Sequence, residues 1–140
     1  MKILLAVDGS SYTKKMLAYL TTHDELFSPQ NDYTVFTVQQ AFPLRARAAV
    51  GKDLVETYYR EDAEKTITPV CKFLARHGIE AKSAWKVGLV GETIASFADA
   101  GKYDLIVMGS HGYGAIGSLV MGSVATQVLA RGKVPVLLVR

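Results

Sequence analysis

Met108 to Val124 reads Met-Gly-Ser-His-Gly-Tyr-Gly-Ala-Ile-Gly-Ser-Leu-Val-Met-Gly-Ser-Val, with five glycines set between the apolar run Tyr103 to Met108 and an amphipathic segment that ends near Arg131. The order is strand, glycine-rich loop, helix. Backbone N–H groups point outward where residues lack a Cβ, and the first turn of the following helix adds unpaired donors and the positive end of its dipole. A phosphate is the ligand such a concavity suits. A loop that needs positive φ at several turns would use the same residues, so their spacing has to decide. Two further groups carry chemistry. Asp8 closes the apolar run Lys2 to Val7, where a carboxylate can serve a ligand or simply pin the turn Asp8-Gly9-Ser10-Ser11. His111 adds a donor whose strength depends on its protonation.

Three spacings overlap in the loop. Gly112-Tyr113-Gly114-Ala115-Ile116-Gly117 matches the dinucleotide pattern GxGxxG, but it does not sit in the first βα turn. The acidic residue expected about 20 positions on would fall within Val136 to Val139, which is apolar. Gly117 to Ser123 resembles a P-loop without the lysine that reaches the β- and γ-phosphates. The third spacing, Gly109-x2-Gly112-x9-Gly122-Ser123, together with Asp8, resembles the ATP-binding branch of the universal stress protein family.

The resemblance implies a fold and a site. The fold is a doubly wound α/β domain of the adenine-nucleotide α-hydrolase-like type, one domain over residues 1–140, with a five-stranded parallel sheet in the order 3-2-1-4-5. Phosphates would be held by the N–H groups of Gly109, Ser110, His111, Gly112, Tyr113, Gly114 and Ala115, with Ser123 and Val124 after Gly122. Met108 leads into the loop, Ala6 and Val7 form part of an adenine wall, and Val38 is a further adenine contact. Asp8 would lie by the nucleotide and hold Mg²⁺. The last strand, Val136, Leu137, Leu138 and Val139, would pair antiparallel with its copy in a homodimer. The implied function is nucleotide-dependent stress response with at most slow ATP hydrolysis. One departure bears on it: no lysine or arginine occurs from Ser110 to Ala130. Neutralising a triphosphate then falls to Mg²⁺ near Asp8, or to Arg45 and Arg47, unless ADP or AMP is the ligand. A protein-interaction module with a vestigial loop is the competing reading. An adenylate-transferring enzyme is a third, disfavoured because Asp8-Gly9-Ser10-Ser11 replaces the Ser-Gly-Gly-x-Asp-Ser loop of that class.

The elements that must position these groups follow from periodicity. Lys2 to Val7 has the continuous apolar character of a strand buried on both faces. Ser10 or Ser11 is placed to cap a helix with Met16, Leu17 and Leu20 inward, ending near His23. Tyr33 to Gln39 reads as the second strand, and Ala41 to Lys52 as irregular. Asp53 to His77 is helical, with Leu54, Tyr58, Ile67, Val70 and Leu74 at helical spacing, and Pro69 is expected to kink or break it near Thr66 to Thr68. Ile79 to Val87 is a third strand carrying Trp85, read as core. Glu92 to Ala100 is a helix with Ile94, Phe97 and Ala98 inward, Tyr103 to Met108 the fourth strand, Ser123 to Ala130 a helix with Val124, Val128 and Leu129 apolar, and Val134 to Arg140 the last strand. Strands alternating with helices give a parallel sheet with right-handed crossovers.

Composition excludes several classes. The chain has 140 residues, 49% hydrophobic and 21% charged, as a globular domain requires. No apolar run approaches the roughly 20 residues of a membrane span. Asp8 and Gly9 come too early for a signal peptide, so a cytoplasmic protein is expected. The single cysteine, Cys71, rules out an internal disulfide and a cysteine metal cluster. Its neighbours Ile67, Val70 and Leu74 imply a helix face and a buried, inert thiol. The net charge of +3 is spread along the chain, which does not suit nucleic-acid binding. No GxSxG elbow, HExxH motif or histidine with an evident nucleophile beside it indicates a dedicated enzyme.

Overall fold

The computed structural model of the chain describes residues 1–113 and 120–140. Gly114 and Ala115, expected above to hold phosphate, lie outside the described residues. Five strands, β1 (Lys2–Ala6), β2 (Asp32–Gln39), β3 (Ala81–Val87), β4 (Leu105–Gly109) and β5 (Val136–Val139), form one parallel sheet in the order β3-β2-β1-β4-β5. The helices are α1 (Ser11–Thr21), α2 (Leu44–Val50), α3 (Lys52–Arg76), α4 (Val90–Ala100) and α5 (Ser123–Arg131). The fold is the expected doubly wound α/β arrangement.

Strand alternation divides the core in two. Ile3, Leu5 and Val7 point to one face, where they meet Met16 and Leu20 of α1 and Ile67, Val70 and Leu74 of α3. Leu4 and Ala6 point to the other, against Ile94 and Ala98 of α4 and Ala125 and Val128 of α5. Each side chain of β1 is thus covered whichever way it points, which is why the strand has no polar alternation. Ile3, Leu4 and Leu5 are wholly inaccessible to solvent. At about 1.5–3 kcal/mol for each large aliphatic side chain buried, this central strand anchors the sheet.

Four expectations need correction. The stretch Ala41 to Lys52 is not irregular, since Leu44–Val50 is helical. Pro43 opens the helix with φ already at −53°, the residues Leu-Arg-Ala-Arg-Ala-Ala are strong helix formers, and Gly51 turns the corner into α3 at φ +93°. Pro69 does not split the third helix, which runs unbroken through Lys52–Arg76. An interior proline costs about 3 kcal/mol. Ile67, Val70 and Leu74 remain buried around it, and their seating outweighs that cost. The first half of α3 is also rotated by one residue from the expected face. Val55, Tyr59 and Ala63 are buried, while Leu54 is 64% and Tyr58 52% exposed. Finally, Leu129 on α5 is half exposed, and Ala125 with Val128 forms the inner face. Trp85 packs against the core as expected. Cys71 is half-buried against the same core, and burial pushes its thiol pKa up, in keeping with an inert group.

Candidate functional site

The sheet order puts β1 between β2 and β4, so the connection from β1 leaves to one side and the connection into β4 arrives from the other. Ligands of such sheets bind where the carboxyl ends diverge at this switch point. Ala6 is in register with Met108, and the Val7 N–H donates to Phe36 O at 2.9 Å, which keeps β2 joined to β1 up to the mouth. Beyond these pairs opens a cavity of about 440 Å³.

Each described residue that the resemblance assigns to the nucleotide site lines this cavity. Ala6, Val7, Val38 and Met108 make an apolar wall, while Gly109, Ser110, His111, Gly112 and Tyr113 enter from β4. Gly122, Ser123 and Val124 enter from the start of α5, and Asp8 from the end of β1. Thr13, Gln40, Val90, Ile94 and Ala125 also line it and were missed. Gln40 was within reach of sequence reasoning, because it lies two residues after Val38 and shares its face of an extended strand. Val90 and Ile94 were not, because an apolar residue at helical spacing reads as core wherever the helix lies. Arg45 and Arg47, the alternative source of positive charge, are exposed on α2 and do not line the cavity.

Asp8 is held from one side. Its Oδ1 accepts the Ser10 N–H at 2.8 Å and the Thr13 hydroxyl at 3.0 Å, while the Asp8 N–H donates to Thr13 Oγ1 at 3.2 Å. Ser10 occupies the N-cap of α1, but its buried hydroxyl makes no capping bond and has no partner among the described residues. Asp8 Oδ2 faces Gly112 so closely that a Cβ there would lie 2.5 Å from it. A Cβ on Gly109 would lie 2.6 Å from Tyr12 Cβ, and one on Gly122 3.2 Å from both His111 Cα and Ser110 O. The requirement at 112 is therefore contact with the carboxylate across the crevice rather than backbone conformation.

The Gly122 N–H donates to Ser110 O at 2.7 Å, and the Ser110 N–H donates to Val139 O at 2.8 Å. These bonds bring the start of α5 back to the end of β4. The helix opens at Gly122 with no side-chain cap and no acidic residue in its first turn. Its first N–H groups thus face the cavity with the dipole's positive end. His111 lies 5.0 Å, ring to ring, from Tyr12, and Lys15 Nζ lies 4.6 Å from the centre of the Tyr12 ring. Ser110 Oγ and His111 Nδ1 are 2.8 Å apart, a serine beside a histidine that the sequence reading did not recognise. Ser110 is buried, so this bond orients the imidazole. Among the described lining residues Asp8 is the single acidic one, and neither lysine nor arginine is present.

The protein is thus a doubly wound α/β domain with a glycine-lined concavity and an apolar wall at its switch point, the place where sheets of this class bind their ligands. The whole chain, residues 1–140, matches the universal stress protein family, and the protein belongs to that family. It is 32% identical over 139 residues to the universal stress protein in the QAH/OAS sulfhydrylase 3'region of Thermus aquaticus, covering 99% of this chain and 97% of that protein. The structure of the MJ0577 protein of Methanocaldococcus jannaschii superposes with a TM-score of 0.82 at 24% identity, covering 99% of this chain and 94% of that one. The universal stress protein of Archaeoglobus fulgidus in complex with dAMP does so with a TM-score of 0.66 at 22% identity, over 100% and 98% of the two chains. Members of the same fold are also known with cAMP (TM-score 0.63) and, from Arabidopsis thaliana, with AMP (TM-score 0.66).

Proposed function

We propose that this protein binds an adenine nucleotide, ATP in its Mg²⁺ complex, in the crevice between β1 and β4, and that the bound nucleotide governs its action in a stress response. One observation carries the reading. Asp8, the Gly109–Gly112 turn and the uncapped start of α5 converge at one end of a cavity whose other end is apolar, which is the polarity of a nucleotide. The adenine would rest on Ala6, Val7, Val38 and Met108, the phosphates on the N–H groups of His111 and Gly112 and on those that begin at Ser123, the expected Ser110 N–H being taken by Val139 O. Three or four charge-assisted hydrogen bonds, each about 1.5–3 kcal/mol, supply the roughly 8 kcal/mol of a micromolar complex once ordering costs are met. That some relatives carry AMP, dAMP or cAMP supports the adenine.

The absence of lysine and arginine from the lining makes a metal part of this reading. Asp8 Oδ1 is taken by Ser10 and Thr13, while Oδ2 has no hydrogen-bond partner among the described residues. A single free carboxylate oxygen fits Mg²⁺, which is commonly bound by one or two carboxylates together with phosphate oxygens and water. When bound, the metal would neutralise phosphate charge beside Asp8. ADP or AMP, with less charge to neutralise, would need it less. Hydrolysis, where it occurs, is slow in this reading, and the protein acts chiefly as a binder in the cytoplasm. The edge strand β5 carries only Val136, Leu137, Leu138 and Val139, with no charge to deter pairing, and in this reading it joins two copies as a homodimer.

The test is to denature the protein as purified and identify released nucleotide by ion-exchange chromatography. Stoichiometric adenine nucleotide is the expected result. An empty protein that also fails to bind added Mg·ATP would overturn the reading and leave an interaction module with an unused loop.

A further inference from the structure

The crevice crosses three neighbouring strand ends. Most of its polar groups gather at β4 and the start of α5, its floor is the end of β1, and its far side is the end of β2. Since β4 and β2 flank β1, these two sides are two strand spacings apart, about 10 Å. A nucleotide laid with its phosphates at β4 and α5 therefore presents the outer edge of its base to β2. The side chains that would meet the ring are aliphatic: Ala6 and Val7 at the end of β1, Val38 of β2, and Val90 and Ile94 of α4. They can grip a flat ring, but none carries a donor or acceptor with which to tell one purine from another.

One lining side chain on this side differs. Gln40 follows directly after β2 and is the only lining residue from β2 or α4, among those described, whose side chain can both donate and accept. Phe36 and Val38 pack on the same side of the sheet as Ala6 and Met108, facing α4 and α5, and Gln40 continues their alternation two residues on. The residue is exposed, and its amide makes no hydrogen bond among the described residues. The polar side chains at the other end are engaged with one another, Thr13 with Asp8 at 3.0 Å and Ser110 with His111 at 2.8 Å. A glutamine amide holds an acceptor and a donor in one plane, the complement of the 6-amino group of adenine and the ring nitrogen beside it.

We propose that Gln40 is the side chain by which this site recognises the base: its amide oxygen accepts from the 6-amino group of adenine while its amide N–H donates to the adjacent ring nitrogen. The proposal rests on the adenine-nucleotide reading of the crevice and adds a specificity that the aliphatic wall cannot supply. Gln40 is a specificity residue only, remote from the phosphates and from Asp8.

The test compares ATP with purine riboside 5′-triphosphate, which differs from it only in lacking the 6-amino group, by calorimetric titration of the nucleotide-stripped protein with Mg²⁺ present. The wild type should bind ATP roughly fivefold or more tightly, the factor of one hydrogen bond held at an exposed edge. Gln40→Met keeps the length of the side chain without its donor and acceptor, and should bring the two Kd values within about twofold of each other. Gln40 is exposed, so the melting temperature should not move. An ATP preference that survives in Gln40→Met would overturn the proposal and give recognition of the base to the backbone at the end of β2. Equal Kd values for the two ligands in the wild type would overturn it too, while leaving the nucleotide reading in place. A wild type that binds neither ligand would overturn that reading and the proposal together.

Discussion

Replacing Gly122 by aspartate separates the stability of the fold from the capacity of the site. Gly122 stands at the N-cap of α5 with φ −72° and ψ 164°, open to any residue, so a side chain adds no backbone strain there. Its Cβ would approach His111 Cα and Ser110 O to 3.2 Å, which a shift of a few tenths of an ångström relieves. Aspartate is also a better N-cap than glycine by a few tenths of a kcal/mol, since its carboxylate accepts the N–H of Val124 or Ala125. These effects oppose one another, and the melting temperature should stay within about 4 °C of the wild type. The site fares differently. The same carboxylate occupies donors needed by phosphate and adds a negative charge. At about 5 Å and an effective dielectric constant near 20, repulsion from one phosphate charge is about 3 kcal/mol, roughly a hundredfold or more in Kd. Gly122→Ala carries the steric change without the charge and should cost less than about tenfold. Thermal unfolding and calorimetric titration with Mg·ATP measure both quantities. A Gly122→Asp protein that keeps its fold and binds within about threefold of wild type would refute the placement of phosphate at the start of α5.

Asp8→Asn should keep both Oδ1 hydrogen bonds, from Ser10 and Thr13, while removing the charge, so folding should change by less than about 1 kcal/mol and the Mg²⁺ dependence of ATP binding should be lost; titration with and without EDTA checks this. Pro69→Ala restores a backbone donor inside α3 and should stabilise the protein by about 1–2 kcal/mol in urea unfolding, the gain in helix formation being partly offset by a freer unfolded chain. Burial raises the Tyr33 pKa above its usual 10.0, the Asn31 side chain opposing in part. In the unfolded chain the phenol ionises first, so its effect is absent below about pH 10 and stability falls as pH rises from there toward the folded pKa. Urea titrations across that window should show a shallower fall for Tyr33→Phe. The proposed pairing of β5 with its copy predicts the molar mass of a dimer for the wild type and of a monomer for Leu137→Lys, read by light scattering at tens of micromolar; a monomeric wild type, or a mass unchanged by the substitution, would refute the pairing.

What the sequence made legible is what local chemistry dictates. Lys2 to Ala6 declares a two-sided strand because both of its faces are covered, and Gly109, Gly112, Gly122 and Asp8 declare the site because their spacing is tied to it. The register of α3 was not legible. Leu54 and Tyr58 compete with Val55 and Tyr59 for the inner face at identical spacing, and Phe42, which stacks on Tyr59 and is hydrogen-bonded to it, lies 17 residues away. The reason for glycine at 112 was hidden in the same way, because the atom it must avoid belongs to Asp8 at the end of another strand. Val90 and Ile94 reach the cavity only because the sheet order carries the start of α4 there. The brief helix α2 was read as loop because nothing in the core fixes its periodicity.

The central claim, a nucleotide held between Asp8, the glycine turn and α5, is met most directly by calorimetric titration of the nucleotide-stripped protein with Mg·ATP. One site per chain with a Kd near micromolar, weakened when Mg²⁺ is chelated, is the predicted result. No heat of binding up to millimolar ATP, ADP or AMP from a protein that is folded by circular dichroism would contradict it.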